Sequence, residues 1–425
     1  MRFKTALIFV VGIAVGGVLA LVLFEILGDR GDAPVLSEAG KPEWLASPPA
    51  ELQGEATKAS GKREEKERAL IVGVIGPETG PEAKYGLAVV EGIVMAAERF
   101  NARGGLRGEL IEVIHHDNSG GSGQALDITE ALIEKNVVAI FSAPTGWSTF
   151  APTHLANNSR TVFISVGTRR KIGRSGDYVF NFSLPDEIAI DEMLGYAADE
   201  LGYRNFALVT SSSYDYSLSI ASVFKQVLPR HGGKILVETD TYDTYSGTTN
   251  IGEVVTALKA DSEGLQAIIF TGDAQEAAQL ARAAKDEGLK LPLIGGEDLF
   301  SEQFLEQGGQ AARDTLLYAT FAPDRASPLV NDFVTDHVAS NNAVPDRFTA
   351  LAYDAFGLLS RALEAADSLK GQEVRDALLN LEAADGVTGV SRWAADGTPI
   401  KHPHLYRVEG GQTGERFVLV QKKGE

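Results

Sequence analysis

The stretch "ALIVGVIGPETGPEAKYG" (69–86) changes character halfway. Its first eight residues are apolar apart from glycine, which suits a strand buried on both faces. Two Gly-Pro pairs then break the run, and a helical pattern follows. Leu87, Val90, Ile93, Val94 and Ala97 fall on one face of 86–102. A buried strand, a polar turn and an amphipathic helix form the first unit of a parallel α/β sheet.

The unit recurs. Further apolar runs are "LIEVIHH" (110–116), "VVAIFSA" (137–143), "TVFISVG" (161–167), "FALVTSS" (206–212), "KILVETD" (234–240), "AIIFTG" (267–272) and "LPLIGG" (291–296). Helical patterns separate several of them, as in 274–288, where Ala277, Ala278, Leu280, Ala281 and Ala284 share a face. One series spans about 68–184 and a second about 185–318, more than one sheet usually holds. The expected fold class is therefore α/β, with two doubly wound, Rossmann-like lobes. The tail departs from the alternation. Helical patterns at 327–340, 347–366 and 372–382 precede apolar alternation at 403–408 and 416–421. These late elements are expected to complete both lobes.

Composition narrows the function. The 425 residues carry a net charge of −19, which argues against nucleic acid, whose phosphates need clustered Lys and Arg. There is no cysteine, hence no disulfide, thiolate metal site or cysteine nucleophile. Near the N-terminus, Arg2 and Lys4 precede "TALIFVVGIAVGGVLALVLFEIL" (5–27), in which only Glu25 is charged. That length spans a bilayer, and the flanking charges place the N-terminus in the cytoplasm and the rest outside. A cleaved signal peptide is the rival reading. Residues 1–27 are thus expected to be an anchor or signal segment, and 28–67, rich in Pro, Gly, Ser and charge, a flexible linker.

Ligands of open α/β sheets bind outside the carboxyl ends of the strands. The exits here read "GPETGPEAKYG", "HHDNSGGSG", "SAPTGWST", "SVGTRRK", "TSSSYDYS", "TGDAQE" and "GGEDLF". Small hydroxyl residues and helix starts suit a carboxylate, and an acid such as Glu297 suits an ammonium. A site offering both suits a zwitterion. "HHD" (115–117) is a poor metal site, because adjacent strand residues face opposite ways. "NSGGSG" (118–123) lacks any phosphate-loop spacing. No metal and no cofactor is expected.

The order of these exits resembles the type I periplasmic solute-binding proteins, and within them the leucine/isoleucine/valine receptors of ABC transporters. "IVGVIGPETGPEAKYG" is similar to the family's first strand and Gly-Pro loop. "AAERFNARGGLRGELIEVIHHDN" (96–118) looks like its Asn-x-x-Gly-Gly segment and second strand. "TALAYDAFGLLSRALEAA" (349–366) looks like its Tyr-Asp-Ala helix, and "DGVTGVSRWAADGTP" (385–399) like its closing segment. The resemblance runs from about 70 to 421 and implies two lobes joined by a three-strand hinge. Crossovers near 183, 321 and 388 divide the chain into lobe 1 (68–184 and 322–387) and lobe 2 (185–321 and 388–425).

The same resemblance implies capture of an amino acid or related small solute in the periplasm or on the extracellular face, without catalysis, and delivery to an ABC transporter permease in the inner membrane. Some relatives act instead as membrane-tethered sensors. By position, Ser148, Thr149 and Thr168 would meet the carboxylate, Glu297 the ammonium, and Tyr85 with Tyr214 or Tyr216 the side chain. Each has a plainer reading: Tyr85 as packing, Ser148, Thr149 and Thr168 as caps, Glu297 as a surface ion pair. Trp147 stands where a small hydroxylic residue is usual, and Asp273 where an aromatic is common. "TRRK" (168–171) adds three cations, so a larger, polar or acidic ligand fits as well as an aliphatic one. An exported hydrolase is the rival class, but there is no Gly-x-Ser-x-Gly elbow and no His-Glu-x-x-His, and His154 has no evident third partner.

Overall fold

The computed structural model describes residues 70–168, 171–212, 216–243, 248–412 and 414–420. The expected anchor and linker, Arg169, Arg170 and Tyr214 lie outside the described residues. No helix among the described residues is long and apolar enough to cross a membrane.

Each of the eight apolar runs carries a strand. In the first sheet, β1 (Leu70–Gly76), β2 (Ile111–Asp117), β3 (Ala139–Ser142), β4 (Val162–Val166) and β5 (Val179–Phe182) lie in the order β2-β1-β3-β4-β5, all parallel. In the second sheet, β6 (Asn205–Thr210), β7 (Lys234–Asp240), β10 (Ala267–Phe270), β11 (Leu293–Gly295) and β12 (Leu316–Ala319) are parallel. The tail adds β15 (His404–Gly410) and β16 (Glu415–Leu419) antiparallel at the edge, giving β16-β15-β12-β11-β10-β6-β7. Two short hairpins complete the strands: β8 (Tyr242–Asp243) with β9 (Thr248–Thr249), and β13 (Ser391–Trp393) with β14 (Pro399–Lys401).

The longer helices are α1 (Ala83–Ala102), α2 (Ser122–Glu134), α3 (Asp186–Asp199), α4 (Ser217–Val227), α5 (Ile251–Ala260), α6 (Ala274–Asp286), α7 (Pro328–Asn341), α8 (Arg347–Ala365) and α9 (Gly371–Asn380). They cover the sheets, because parallel strands this apolar need both faces buried. On α1 the buried set includes Val89, Ala96 and Phe100, while Leu87 and Val94 stay half-buried. The buried face is wider than the single stripe expected because α8 packs along α1 and itself reaches the sheet, where Phe356 stacks on Phe141 of β3.

The chain passes between the lobes three times. It leaves the first sheet after β5, and it returns after β12 to lay α7 and α8 against α1. Phe321, Val330, Phe333, Ala350 and Val387 pack together beside this return. The third passage comes later than the expected 388. The β13–β14 hairpin stays with the first sheet because Trp393 is wedged between Phe180 and Phe182, at centroid distances of 5.3 and 5.4 Å. Its indole also donates to the Asn181 carbonyl.

A buried ionic cluster fixes this region. The Asp354 carboxylate on α8 accepts the backbone N–H groups of Val387 (2.8 Å) and Thr388 (2.7 Å) and the Thr388 hydroxyl. Lys401, fully buried, donates to Thr388 Oγ1 at 2.6 Å, and its ammonium lies 4.7 Å from the Phe182 ring centroid. Burial lowers the Lys401 pKa to about 8, against the nearby Asp354 charge. Burial likewise pushes Asp354 up, against Lys401 and the Thr388 donors. Removing one partner of such a group strands the other. Asp354→Ala is therefore expected to cost about 3–5 kcal/mol in denaturant unfolding. A loss below about 1 kcal/mol would show that the cluster does not hold the 387–401 segment.

Candidate functional site

The carboxyl ends of β1, β3 and β4 converge on one ring. Phe348, in the first turn of α8, stands edge-on to Tyr85 with centroids 5.1 Å apart, an arrangement worth about 0.5–1.5 kcal/mol. It also covers the backbone of Gly167, at φ 76°, where a Cβ would fall 2.7 Å from the ring, and Pro144 lies at the same spot. Tyr85 is aimed by its neighbour: a Cβ on Gly86 would meet the Pro77 carbonyl at 1.9 Å, so only glycine lets the helix start so close to its own loop.

Asp117, at the end of β2, pins the "GPETGP" loop. It accepts from Glu78 N (2.8 Å), Thr79 Oγ1 (2.6 Å) and Ser119 N (2.7 Å). Burial raises its pKa, but these donors outweigh that and hold it below the usual carboxylate range. His115 closes the loop from below, with Nδ1 2.8 Å from Glu78 Oε1.

The β3 exit turns inward on itself. Thr149 Oγ1 donates to the Ala143 carbonyl (2.6 Å) and accepts from Thr145 N (2.9 Å). Ser148 Oγ donates to the Thr145 carbonyl (2.9 Å) and meets Thr145 Oγ1 at 2.5 Å. Both hydroxyls are buried and brace the loop. Trp147 is 76% exposed, its ring tilted against Phe150 with centroids 6.3 Å apart. Thr168 is buried, accepting from Ser165 Oγ (2.7 Å) and, at its carbonyl, from Ser183 Oγ (2.8 Å).

Across the cleft, the second-lobe exits differ in role. Asp273 caps α6, accepting from Glu276 N at 2.8 Å, and is exposed. Tyr216 is half-buried against the second-lobe core. Glu297 follows β11 and is buried; its Oε1 accepts from Thr320 N (2.5 Å) and its Oε2 from Thr320 Oγ1 (2.9 Å). Arg347, from the first-lobe helix α8, reaches over: one guanidinium nitrogen is 3.5 Å from Glu297 Oε2 and the other 3.3 Å from Asp298 Oδ1. Tyr85 and Glu297 thus line one cavity of about 580 Å³ with Lys84, Asp298, Arg347 and Phe348.

Sequence reasoning did not single out Thr320, Arg347 or Phe348. One signal pointed to Arg347. Asp346 before a helical pattern is an N-cap, so the next residue lies at the positive end of the helix dipole, an unfavourable place for a cation. Asp346 does cap α8, accepting from Phe348 N and Thr349 N. No group of three or more His, Asp or Glu among the described residues is placed to hold a metal ion.

Two α/β lobes whose strand exits face a shared cleft define a two-lobed protein that encloses a small solute. Residues 70–413 match the family model described as "Periplasmic binding protein", and the chain belongs to that family. Among curated relatives, the Leu/Ile/Val-binding protein homolog 3 of Brucella melitensis is 24% identical over 335 residues, covering 78% of this chain and 84% of the relative. The branched-chain amino acid transporter substrate binding protein of Streptococcus pneumoniae, solved with isoleucine, is 25% identical, with TM-score 0.65 over 83% of this chain and all of that one. The ABC transporter substrate-binding protein of Sphaerobacter thermophilus, 21% identical, shares the fold with TM-score 0.72 over 83% of this chain and 97% of that one.

The loop geometry carries a prediction. The Glu78 hydrogen bond outweighs burial and raises the His115 pKa, whereas burial, with Lys135 nearby, lowers that of His116. A histidine NMR titration is expected to place His115 above 6.5 and His116 below it. The stabilisation from His115 is then complete below pH 6.5 and is lost as pH rises through its folded value. Coincident titrations would mean that the loop is not closed by Glu78.

Proposed function

We propose that the chain captures an amino acid or related small solute outside the cytoplasm and presents it to an ABC transporter permease, without chemical change to the solute. The observation that carries this reading is the cavity that joins Tyr85 of the first lobe to Glu297 of the second. A site shared by two lobes on a hinge responds to its occupant by closing. The names of the relatives, and the isoleucine bound to one of them, support an amino acid as the class.

In this reading the solute carboxylate lies on the first-lobe exits near Ser148, Thr149 and Thr168. Their hydroxyls set the loop backbone in place, and Trp147 stands exposed on the same loop. Tyr85 supplies an apolar wall, and Glu297 takes the ammonium. Tyr216 and Asp273 flank the second-lobe side. We assign residues 70–184, 322–387 and the 391–401 hairpin to lobe 1, and 185–321 with 404–420 to lobe 2. The positively flanked apolar segment 5–27 would hold the head at the membrane.

Thermal unfolding against amino acids, amides and organic acids tests the class. A ligand at one hundred times its Kd is expected to add about 2.7 kcal/mol. A shift with neutral or purely anionic solutes and none with zwitterions would overturn the amino-acid reading. Glu297→Ala is expected to weaken a zwitterion at least about tenfold by calorimetry while the protein stays folded, since a charged hydrogen bond is lost. Unchanged affinity would remove Glu297 from the ammonium site.

A further inference from the structure

Arg347 is an unusual presence in such a cleft. It occupies the first position of α8, where the helix dipole disfavours a cation, and its side chain is only 26% exposed. Its guanidinium stacks over Phe348, with Cζ 4.8 Å from the ring centroid, and points across the cleft at Glu297 and Asp298. A residue that breaks a local rule inside a cleft is expected to serve the site.

The contacts to the acids are loose. Only the one to Asp298, at 3.3 Å, has hydrogen-bond geometry, and the approach to Glu297 is 3.5 Å. A guanidinium carries five N–H donors in a rigid fork that matches a carboxylate in pairs. Arg347 is therefore tethered rather than saturated.

Its position also restricts the occupant. An ammonium brought to Glu297 stands beside the Arg347 guanidinium, and like charges that close oppose one another. Lys84 adds a second cation to the cavity wall, 4.9 Å from the Tyr85 ring. Asp346 also lines the cavity, but its carboxylate is engaged in capping α8, and Glu302 lies exposed at the rim. With an aliphatic side chain the guanidinium and the ammonium must share Glu297 and Asp298. A side chain ending in a carboxylate sets an anion on the guanidinium fork and relieves the repulsion.

We infer that Arg347 is a specificity-determining residue that reads a second anionic group on the solute, so that the ligand is an amino acid with an acidic side chain. This inference rests on the amino-acid reading above. Calorimetry with L-glutamate, L-aspartate, L-leucine and L-isoleucine, on the wild type and on Arg347→Gln and Arg347→Lys, tests it. The wild type is expected to bind an acidic amino acid at least about tenfold tighter than leucine, the worth of one charged hydrogen bond. Arg347→Gln is expected to erase that preference with little change for leucine, and Arg347→Lys to retain part of it. Unliganded melting curves identify any variant that fails to fold, and the wild-type ranking stands without the variants. Tighter binding of leucine or isoleucine by the wild type, or equal weakening of all four ligands in Arg347→Gln, overturns the inference and leaves the amino-acid reading intact. Absence of binding by all four overturns both.

Discussion

The buried carboxylate of Asp354 is the constraint that ties the late segments of the chain to the first lobe. A charge in an apolar interior must find donors or be neutralised. Asp354 finds them in the backbone of Val387 and Thr388, with Thr388 relaying to Lys401. The hydrogen bonds join α8, the 387–388 segment and the β13–β14 hairpin at one point, ahead of the third passage between the lobes. Two turns earlier on the same helix, Arg347 and Phe348 reach the cleft. One helix thus carries both the anchor of the 387–388 segment and part of the cavity wall, about 10 Å apart at 1.5 Å per residue.

Electrostatics divides the cleft. The first-lobe exits close on themselves, through hydroxyl and backbone hydrogen bonds after β3 and β4 and through the Asp117 carboxylate after β2, so they define shape. The second-lobe exit after β11 presents two adjacent acids, met by a cation from the opposite lobe. The charged contact is the one that crosses between lobes, and it therefore senses their separation. Charges there interact more strongly as water leaves the cleft.

Much of the fold was legible because parallel strands in such a sheet are continuous apolar runs. All eight runs carry strands, and the two late alternations became β15 and β16. β5 and β12 were not singled out, although at four residues they are as long as β3 and β10, and the hairpin carrying Trp393 shows its purpose only once Phe180 and Phe182 flank it. The site was legible as loops and less so as roles. Ser148, Thr149 and Asp273 satisfy nearby backbone groups, as Ser, Thr and Asp do at any cap or turn. Arg347 meets acids 50 and 49 positions away in the chain, a partnership no local pattern encodes.

The threefold passage between lobes also governs how the chain can fold. Arg99 of α1 hydrogen-bonds Tyr353 across 254 residues, and Trp393 bonds Asn181 across 212. The first lobe begins with β1 yet cannot cover α1 or the β5 edge until nearly the whole chain has emerged. Contacts so distant in sequence slow folding and leave apolar surface open meanwhile. Residues 70–184 are consequently an unfinished half-domain for much of the protein's synthesis, their outer layer arriving last.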